Sequence, residues 1–266
     1  MVKLDTRMKT FYEETSKTKL VRRMPVAIRI DGRAFSTFTR RMNKPFDEIL
    51  TTAMQKTTEY LCKNIQGCVF GYTQSDEITL ILVDYENLNS SAWFDYEVQK
   101  LCSISASMAT FMFNKVFFEL ACKYTDLNNY DSDGHWLGSD DYWKTLQKNI
   151  HNGAMFDARC FNIPKEEVTN LVYWRQKDAR RNAVSMIGRT IYTPKELHGV
   201  TTEELVEMLG KRGINVETDY KHCNLYGTAC IKNEEGKWTL DYNMPMLLGE
   251  DRNYLDRFIL VGDTEK

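Results

Sequence analysis

Short apolar runs alternate along the chain with longer segments in which apolar residues recur every three or four positions. Four of the short runs have the β-branched and aromatic content of buried strands. The longer segments have the spacing of helices that bury one face. The pattern predicts strands at 26–30, 68–73, 77–83 and 155–163, and helices at 4–18, 47–64, 92–122 and 164–187.

The order of the elements predicts the fold class. After the N-terminal helix the order is β-α-β-β-α-β with a further helix, which is the split βαβ, or ferredoxin-like, arrangement. We therefore expect an α+β core over residues 1–190, whose four-stranded sheet has helices on one face and an open face for substrate. A polar, mobile insertion is expected at about 123–153, with a short helix at 139–149.

Residues 191–266 are expected to form a C-terminal extension that binds RNA or joins subunits. Thr201 and Glu204 have the spacing of a capping box, which predicts the start of a short helix. Two further strands, at 225–232 and 237–242, would form a hairpin around the turn at 233–236.

The predicted hairpin at 68–83 carries two adjacent carboxylates, Asp76 and Glu77, at its tip. Ionised carboxylates near a core are costly unless something compensates them. The first strand ends in Asp31 and Gly32, and in this topology it lies beside the hairpin, so Asp31 and Asp76 can converge. Carboxylates from neighbouring strand ends favour a magnesium site for nucleotide chemistry, and a structural hydrogen-bonding pair remains the alternative.

Composition places the chain among soluble globular proteins, with 42% hydrophobic and 27% charged residues in 266. No apolar run approaches the roughly 20 residues that span a bilayer, and the N-terminus lacks the apolar core of a signal peptide. The seven cysteines form no Cys-x-x-Cys pair and are odd in number. Free thiols in a reducing compartment are indicated, so we expect a cytoplasmic protein without a membrane partner.

Charge is distributed unevenly, although the net charge is only −2. Residues 1–45 hold twelve Lys or Arg against four Asp or Glu, and residues 171–198 hold six against two. These two segments could meet phosphates. Solvated surface faces are the other interpretation of such runs.

Five stretches closely resemble the tRNA-His guanylyltransferase family of 3′–5′ nucleotide-adding enzymes and their bacterial and archaeal relatives. The resemblance covers about residues 5–190. It is carried by 28–35 (IRIDGRAF), 44–45 (KP), 71–77 (GYTQSDE), 156–159 (FDAR) and 173–178 (YWRQKD).

The resemblance implies a palm-type polymerase core with two Mg²⁺ ions, GTP and other NTPs as substrates, ATP for activation of the 5′ end, tRNA as the macromolecular partner and a homotetramer. Asp31 and Asp76 would be catalytic and would ligate metal with the Gly32 carbonyl. Glu77 would support them, with a solvated hairpin charge as the alternative. The nucleotide would be lined by Asp31, Gly32, Arg33, Ala34, Phe35, Ser36, Lys44, Ser75 and Asp76.

The chain departs from the eukaryotic members of that family at one place. They carry His-Ile-Asn-Asn-Leu-Tyr-Asn where residues 180–186 read RRNAVSM, so that Arg180 occupies the histidine position and only Asn182 is retained. The bacterial type of the family is associated with templated repair of 5′-truncated tRNA. Untemplated addition of G, a cyclase-like chemistry and a non-catalytic tRNA-binding module remain the alternatives.

Basic residues near both motifs are expected to contact RNA. A guanidinium can hold a phosphate through two parallel hydrogen bonds. Binding of the RNA 5′ end or a triphosphate is expected from Arg175, Arg180, Arg181 and Asn182, and contact with the RNA backbone from Arg33, Arg40 and Arg41. A solvated basic helix face is the other reading of the cluster on the last predicted helix.

Overall fold

A computed structural model describes residues 2–126 and 140–260. In this part of the chain, every strand belongs to a single antiparallel sheet. The strands are β1 (Val26–Gly32), β2 (Cys68–Gln74), β3 (Glu77–Leu82), β4 (Phe156–Asn162), β5 (Thr228–Lys232) and β6 (Trp238–Asp241). Their order across the sheet is β4-β1-β3-β2-β5-β6. Six strands are present where the sequence predicts them, although β5 begins three residues later than expected because residues 222–226 form a short helix. The C-terminal hairpin extends the same sheet because β5 pairs with β2.

The helices also follow the predicted pattern, with changes at their ends. They are α1 (Leu4–Met8), α2 (Phe35–Phe38), α3 (Glu48–Asn64), α4 (Val98–Asp126), α5 (Asp140–Asn152), α6 (Lys165–Arg189), α7 (Thr202–Lys211), α8 (Val216–Asp219), α9 (His222–Tyr226) and α10 (Asn253–Ile259). After Met8 the chain continues as a π-helical turn and then a 3-10 turn to Ser16. The capping box at Thr201 and Glu204 is present.

The start of α4 was predicted six residues too early. Residues Trp93–Tyr96 form a 3-10 turn in which Phe94 and Asp95 have φ of 49° and 52°. Because a left-handed backbone cannot continue a right-handed helix, α4 begins only at Val98.

The long helix α4 packs with α3 on one face of the sheet. Its small residues Ser105 and Ala109 are fully buried, which allows the close approach to the sheet that their size predicts. By length and composition alone, its span Val98–Tyr124 could cross a membrane, although no such run was expected. Leu101 and Phe113 are fully buried in the main apolar cluster, so in this fold α4 serves as a core helix.

The opposite face of the sheet is not wholly open, and the expectation of helices on one face only was wrong. Val168 and Val172 of α6 pack with Ala27 of β1 and Ile81 of β3, and α10 adds Leu255 to the same cluster. The stripe of apolar residues on α6 therefore covers one end of this face. The other end, where β1 finishes, carries polar side chains.

The expected insertion at about 123–153 is only partly described, since residues 127–139 lie outside the described residues. The short helix expected at 139–149 is confirmed as α5. Leu146 is fully buried, and Tyr142 donates a hydrogen bond to Asp47 at 2.7 Å. This helix is thus part of the packed structure.

Candidate active site

Three carboxylates stand side by side at the end of β1. Asp31 pairs with Glu77 of β3 on one side and with Asp157 of β4 on the other. Residues directly opposite each other in an antiparallel sheet point to the same face, with Cβ atoms about 5 Å apart. The register therefore forms an acidic row on the face that α6 leaves uncovered.

Asp76 joins this row from the tip of the β2–β3 hairpin. Ser75 and Asp76 form the two-residue turn, and Ser75 has a φ of 50°. The Gly32 amide donates to the Asp76 carbonyl at 3.0 Å, and the Ser75 hydroxyl donates to the Asp76 carboxylate at 3.1 Å. The structure thus places Asp31, Gly32, Ser75 and Asp76 next to one another, as the topology predicted.

Negative charge accumulates at this point. Burial raises the pKa of Asp31 above its ordinary value, and the neighbouring Glu77 and Asp157 raise it further. Burial likewise raises the pKa of Asp76, against hydrogen bonds from Ser75 and a backbone amide, and Asp31 adds to the rise. Among residues 2–126 and 140–260, no Lys, Arg or His nitrogen lies within 4.0 Å of either carboxylate.

Glu77 has a different environment from that of Asp76. Its carboxylate accepts from Arg29 at 2.8 Å and from Arg175 at 3.0 Å. Arg175 is only 4% exposed, binds Asp178 at 2.7 Å and stacks on Trp174 at 3.9 Å. A phosphate could reach Arg175 only by displacing a carboxylate, so a direct phosphate contact, as expected from the sequence, does not fit this geometry.

Phe35, which was predicted to line the nucleotide, has a structural role in the core. A Cβ atom at position 32 would lie 2.3 Å from Cδ2 of Phe35, so only glycine lets the ring pack under the end of β1. Phe35 is 4% exposed and stacks on Phe38 at 5.1 Å. Its side chain belongs to the aromatic core, and only its backbone could line a nucleotide.

Two clefts begin at residues next to the acidic row, and several of the other predicted residues line one or the other. One cleft lies between α2 and α5 and is lined in part by Arg33 and Ala34. The other lies between the start of α3 and α6 and brings together Lys44, Ser75 and Asn182. Ser36 is exposed and lines neither cleft.

A family model for tRNAHis guanylyltransferase matches residues 5–164, which is more than half of the chain. The chain belongs to the tRNA-His guanylyltransferase family. The members of this family are nucleotidyltransferases. The match confirms the family resemblance that the sequence motifs predicted.

Solved structures of tRNA-His guanylyltransferase relatives are similar over nearly the whole chain. A bacterial tRNA(His) guanylyltransferase-like protein in complex with ATP has a TM-score of 0.81 at 33% identity, covering 98% of this chain and 100% of that one. A bacterial tRNA(His) guanylyltransferase-like protein in complex with GTP has a TM-score of 0.73 at 32% identity, covering 97% of this chain and 100% of that one. The enzyme from Saccharomyces cerevisiae shares the fold, with a TM-score of 0.59 at 21% identity and coverage of 83% and 92%.

Curated relatives match a smaller part. An uncharacterised protein of Acanthamoeba polyphaga mimivirus is 31% identical over 192 residues, which are 68% of this chain and 61% of that protein. A probable tRNA(His) guanylyltransferase of Dictyostelium discoideum is 26% identical over 208 residues, which are 73% of this chain and 69% of that protein.

The donor set at the end of β1 fits the magnesium that this family implies. Among the described residues, no three His, Cys, Asp or Glu side chains form a metal cage. Mg²⁺ is usually held by one or two carboxylates together with water and substrate phosphates. Asp31 and Asp76 supply two carboxylates with raised pKa values, and a bound cation would lower both pKa values again. The Gly32 carbonyl is the third oxygen ligand that the family pattern implies.

The arginines at the family's histidine motif are engaged within the chain. Arg180 binds Glu217 of α8 at 2.9 Å and the Tyr226 hydroxyl of α9 at 3.1 Å, so it ties α6 to the C-terminal helices. Arg181, which is 65% exposed, pairs with Asp178. Asn182 lines the cleft that contains Lys44 and Ser75, whereas Arg181 lines a separate pocket beside α7.

Three charged residues of the site, Asp157, Arg29 and Asp178, were not predicted from the sequence. Asp157 lies in the FDAR stretch, but its place opposite Asp31 depends on the register of two strands that are far apart in sequence. Arg29 alternates with the buried residues of β1, and that alternation was the available signal that it shares a face with Asp31.

Proposed function

We propose that the chain is a magnesium-dependent nucleotidyltransferase that adds nucleotides to the 5′ end of tRNA in the 3′–5′ direction, with templated repair of 5′-truncated tRNA as its task. The observation that carries the proposal is the end of β1, where Asp31 and Asp76 share negative charge without a basic partner in the described residues. The relatives solved with ATP and GTP support NTPs as substrates.

The strand order supports a palm-type assignment. Within the sheet, the antiparallel order β4-β1-β3-β2 is that of the ferredoxin-like core. In that core the first and third strands are central neighbours, which places Asp31 and Asp76 at the edge of the uncovered face. We assign this region as the palm of a polymerase.

The residues would position two substrates for an in-line displacement. The 3′ hydroxyl of the incoming nucleotide attacks the phosphorus next to the 5′ oxygen of an activated RNA end, which is either a 5′ triphosphate or a 5′ monophosphate that ATP has adenylylated. A new P–O bond forms, the bond to pyrophosphate or AMP breaks, and the hydroxyl proton passes to solvent. Bound Mg²⁺ would acidify the attacking hydroxyl and stabilise charge on the leaving group. Lys44 and Asn182, in the cleft beside Ser75, would orient the nucleotide and its phosphates.

The position of Arg180 supports templated repair over untemplated addition of G. Its guanidinium is held by Glu217 and Tyr226, in the place where eukaryotic members carry the first histidine of their motif. A side chain held in this way leaves selection of the incoming base to pairing with the RNA template strand.

The deciding experiment supplies 5′-truncated tRNAs, bearing mono- or triphosphate ends, with Mg²⁺ and each NTP in turn. We expect addition of the nucleotide complementary to the template base, and none in Asp31→Asn. Addition of G whatever the template base would favour the untemplated reaction. A cyclic product from GTP alone would favour a cyclase, and RNA binding without any addition would favour the non-catalytic module.

We further propose a cytoplasmic homotetramer. The helical segment from Leu4 to Ser16 has no buried residue, and it exposes Leu4, Phe11 and Tyr12. Apolar side chains displayed in this way favour a subunit contact. Multi-angle light scattering would measure the mass, and a monomer at micromolar concentration would contradict the assembly.

A further inference from the structure

The cleft between α2 and α5, here the α2–α5 groove, has an excess of positive charge. Among the described residues, five basic side chains line it against a single carboxylate, that of Asp141. All five are exposed: Arg33, Arg40, Arg41, Lys144 and Lys148. The groove holds about 470 Å³, and Lys44 and Ser75 belong to the other cleft.

The positive charge of the groove is largely uncompensated. Lys144 is 3.8 Å from Asp141, and both side chains are more than two-thirds exposed. Within the described ranges, no carboxylate lies within 4.0 Å of Arg33, Arg40, Arg41 or Lys148. By contrast, Arg175, Arg180 and Arg181 of α6 each bind a carboxylate of the chain itself. Within the described part of the chain, Arg33, Arg40, Arg41 and Lys148 are therefore available to an anionic ligand.

The two walls of the groove are fixed relative to each other. Asn149 of α5 is buried and donates to the Phe38 carbonyl at the end of α2 at 3.0 Å. Leu146 is fully buried on the inner side of α5. Lys144 and Lys148 are four residues apart, so they lie on one face of α5 with a rise of about 6 Å between them.

We propose that the α2–α5 groove binds the phosphodiester backbone of the RNA substrate outside the reaction centre. This inference rests on the proposed function, because it assigns a path to the RNA that reacts at Asp31. Arg33 follows Gly32 directly, so the groove begins beside the acidic row. A strand with its 5′ end at the carboxylates would continue along the cations.

The distribution of the cations favours a polymer backbone over the triphosphate of one nucleotide. They come from the end of β1, the segment after α2 and two successive turns of α5. A triphosphate is held best by a compact nest of backbone amides and one or two cations. A chain of phosphates can instead engage charges that are spread along a groove.

The test measures RNA binding separately from catalysis. The binding of a 3′-labelled 5′-truncated tRNA would be measured by fluorescence anisotropy, in EDTA and without NTP, over a range of salt concentrations. The variants are Lys144→Glu/Lys148→Glu and the milder Lys144→Gln/Lys148→Gln. The matched control, Lys195→Glu/Lys211→Glu, makes the same charge change at two exposed lysines that line neither of the two clefts.

We expect the glutamate pair to weaken RNA binding about tenfold or more, and the control less than threefold. Loss of two phosphate contacts should reduce the slope of log K against log salt by about 1.4 to 1.8. The KM for RNA should rise, whereas the KM for GTP and the kcat at saturating RNA should stay within twofold. The glutamine pair should give an intermediate loss of RNA affinity. Because it removes the two charges without reversing them, it tests the groove with a smaller disturbance of the fold.

An unchanged RNA affinity in both lysine variants would overturn the inference. A raised KM for GTP with unchanged RNA affinity would overturn it as well, and would make the groove a triphosphate site. If the wild-type chain adds nucleotides while the variants bind RNA normally, the groove assignment alone fails. If the variants lose RNA binding but the wild-type chain adds no nucleotide, the proposed reaction alone fails.

Discussion

Asp76 and Glu77 are adjacent in sequence, yet the structure gives them opposite surroundings. Glu77 accepts hydrogen bonds from Arg29 and Arg175, and the latter is nearly inaccessible to solvent. Among the described residues, the Asp76 carboxylate accepts only from its neighbour's hydroxyl and a backbone amide, and burial with the nearby Asp31 raises its pKa. One carboxylate is neutralised by the chain, and the other is not.

The difference shows which carboxylates are available to a ligand. Two arginines bind Glu77, whereas no basic side chain of the described residues binds the adjacent Asp76. The Arg29 and Arg175 side chains also each keep a buried Nε without a hydrogen-bond partner, so the neutralised cluster is not optimised for stability alone. We infer that the arginine–carboxylate cluster holds the hairpin in place, while Asp31 and Asp76 remain open to a cation.

The largest expected effect follows from removing the open carboxylates. Asp31→Asn and Asp76→Asn should each lower kcat/KM for nucleotide addition by about 10³-fold or more, because a metal contact contributes several kcal/mol to the barrier. Both variants should fold as stably as wild type, since each removes a repulsive charge. Asp157→Asn is the control, since Asp157 is 53% exposed and lies 3.4 Å from Arg159; it should lose less than tenfold.

Retained activity in both Asn variants, measured in single-turnover assays with excess enzyme, would contradict the assignment of the open carboxylates. A large loss of stability in thermal unfolding would also contradict it, because the two side chains would then be structural.

The next effect is on stability and concerns the neutralised cluster. Arg175→Met removes the cation shared by Glu77 and Asp178, and breaking such a buried ion pair costs about 3–5 kcal/mol. Urea unfolding would measure this loss. Arg181→Met is the matched control, since Arg181 binds the same Asp178 but is 65% exposed, and it should cost less than about 1 kcal/mol. Equal losses would show that burial of Arg175 is unimportant.

Local patterns predicted the elements of this fold well, and long-range pairing set the limits of prediction. The strand positions and the convergence of Asp31 with Asp76 follow from apolar runs and the order of elements. The packing of α6 on the second face of the sheet could not be predicted. An apolar stripe such as Val168 and Val172 shows that a helix face is buried, but not which surface it packs against.

The roles of the charged residues were harder to predict than their positions in the elements. Arg175 and Glu77 are 98 residues apart, and nothing local distinguishes an internal ion pair from a phosphate ligand. Phe35 sits in a stretch that resembles a nucleotide-binding motif, yet its ring packs in the core because Gly32 leaves room for it.

A moderate effect should separate the two environments through ligand binding. GTP with Mg²⁺ at 100 times the dissociation constant should stabilise the wild-type chain by about 2.7 kcal/mol. Removing Mg²⁺ with EDTA, or changing Asp76 to Asn, should abolish most of this gain. Glu77→Gln should start from a lower stability but keep the gain, because its carboxylate is engaged by Arg29 and Arg175. An equal loss of the gain in both variants, measured by thermal shift, would place Glu77 among the ligands.

The smallest effect comes from moving the backbone at the acidic row without changing any charge. In Gly32→Ala the new Cβ would meet the Phe35 ring at 2.3 Å, and overpacking of this kind costs about 1–3 kcal/mol. The Gly32 amide donates to the Asp76 carbonyl, so a displaced backbone at Gly32 should also move Asp76. We therefore expect a lower kcat and a smaller change in the KM for GTP. The double variant Gly32→Ala/Phe35→Leu, which makes room for the methyl group, should recover stability and part of kcat. If it recovers neither, the glycine is required for a contact other than the one with Phe35.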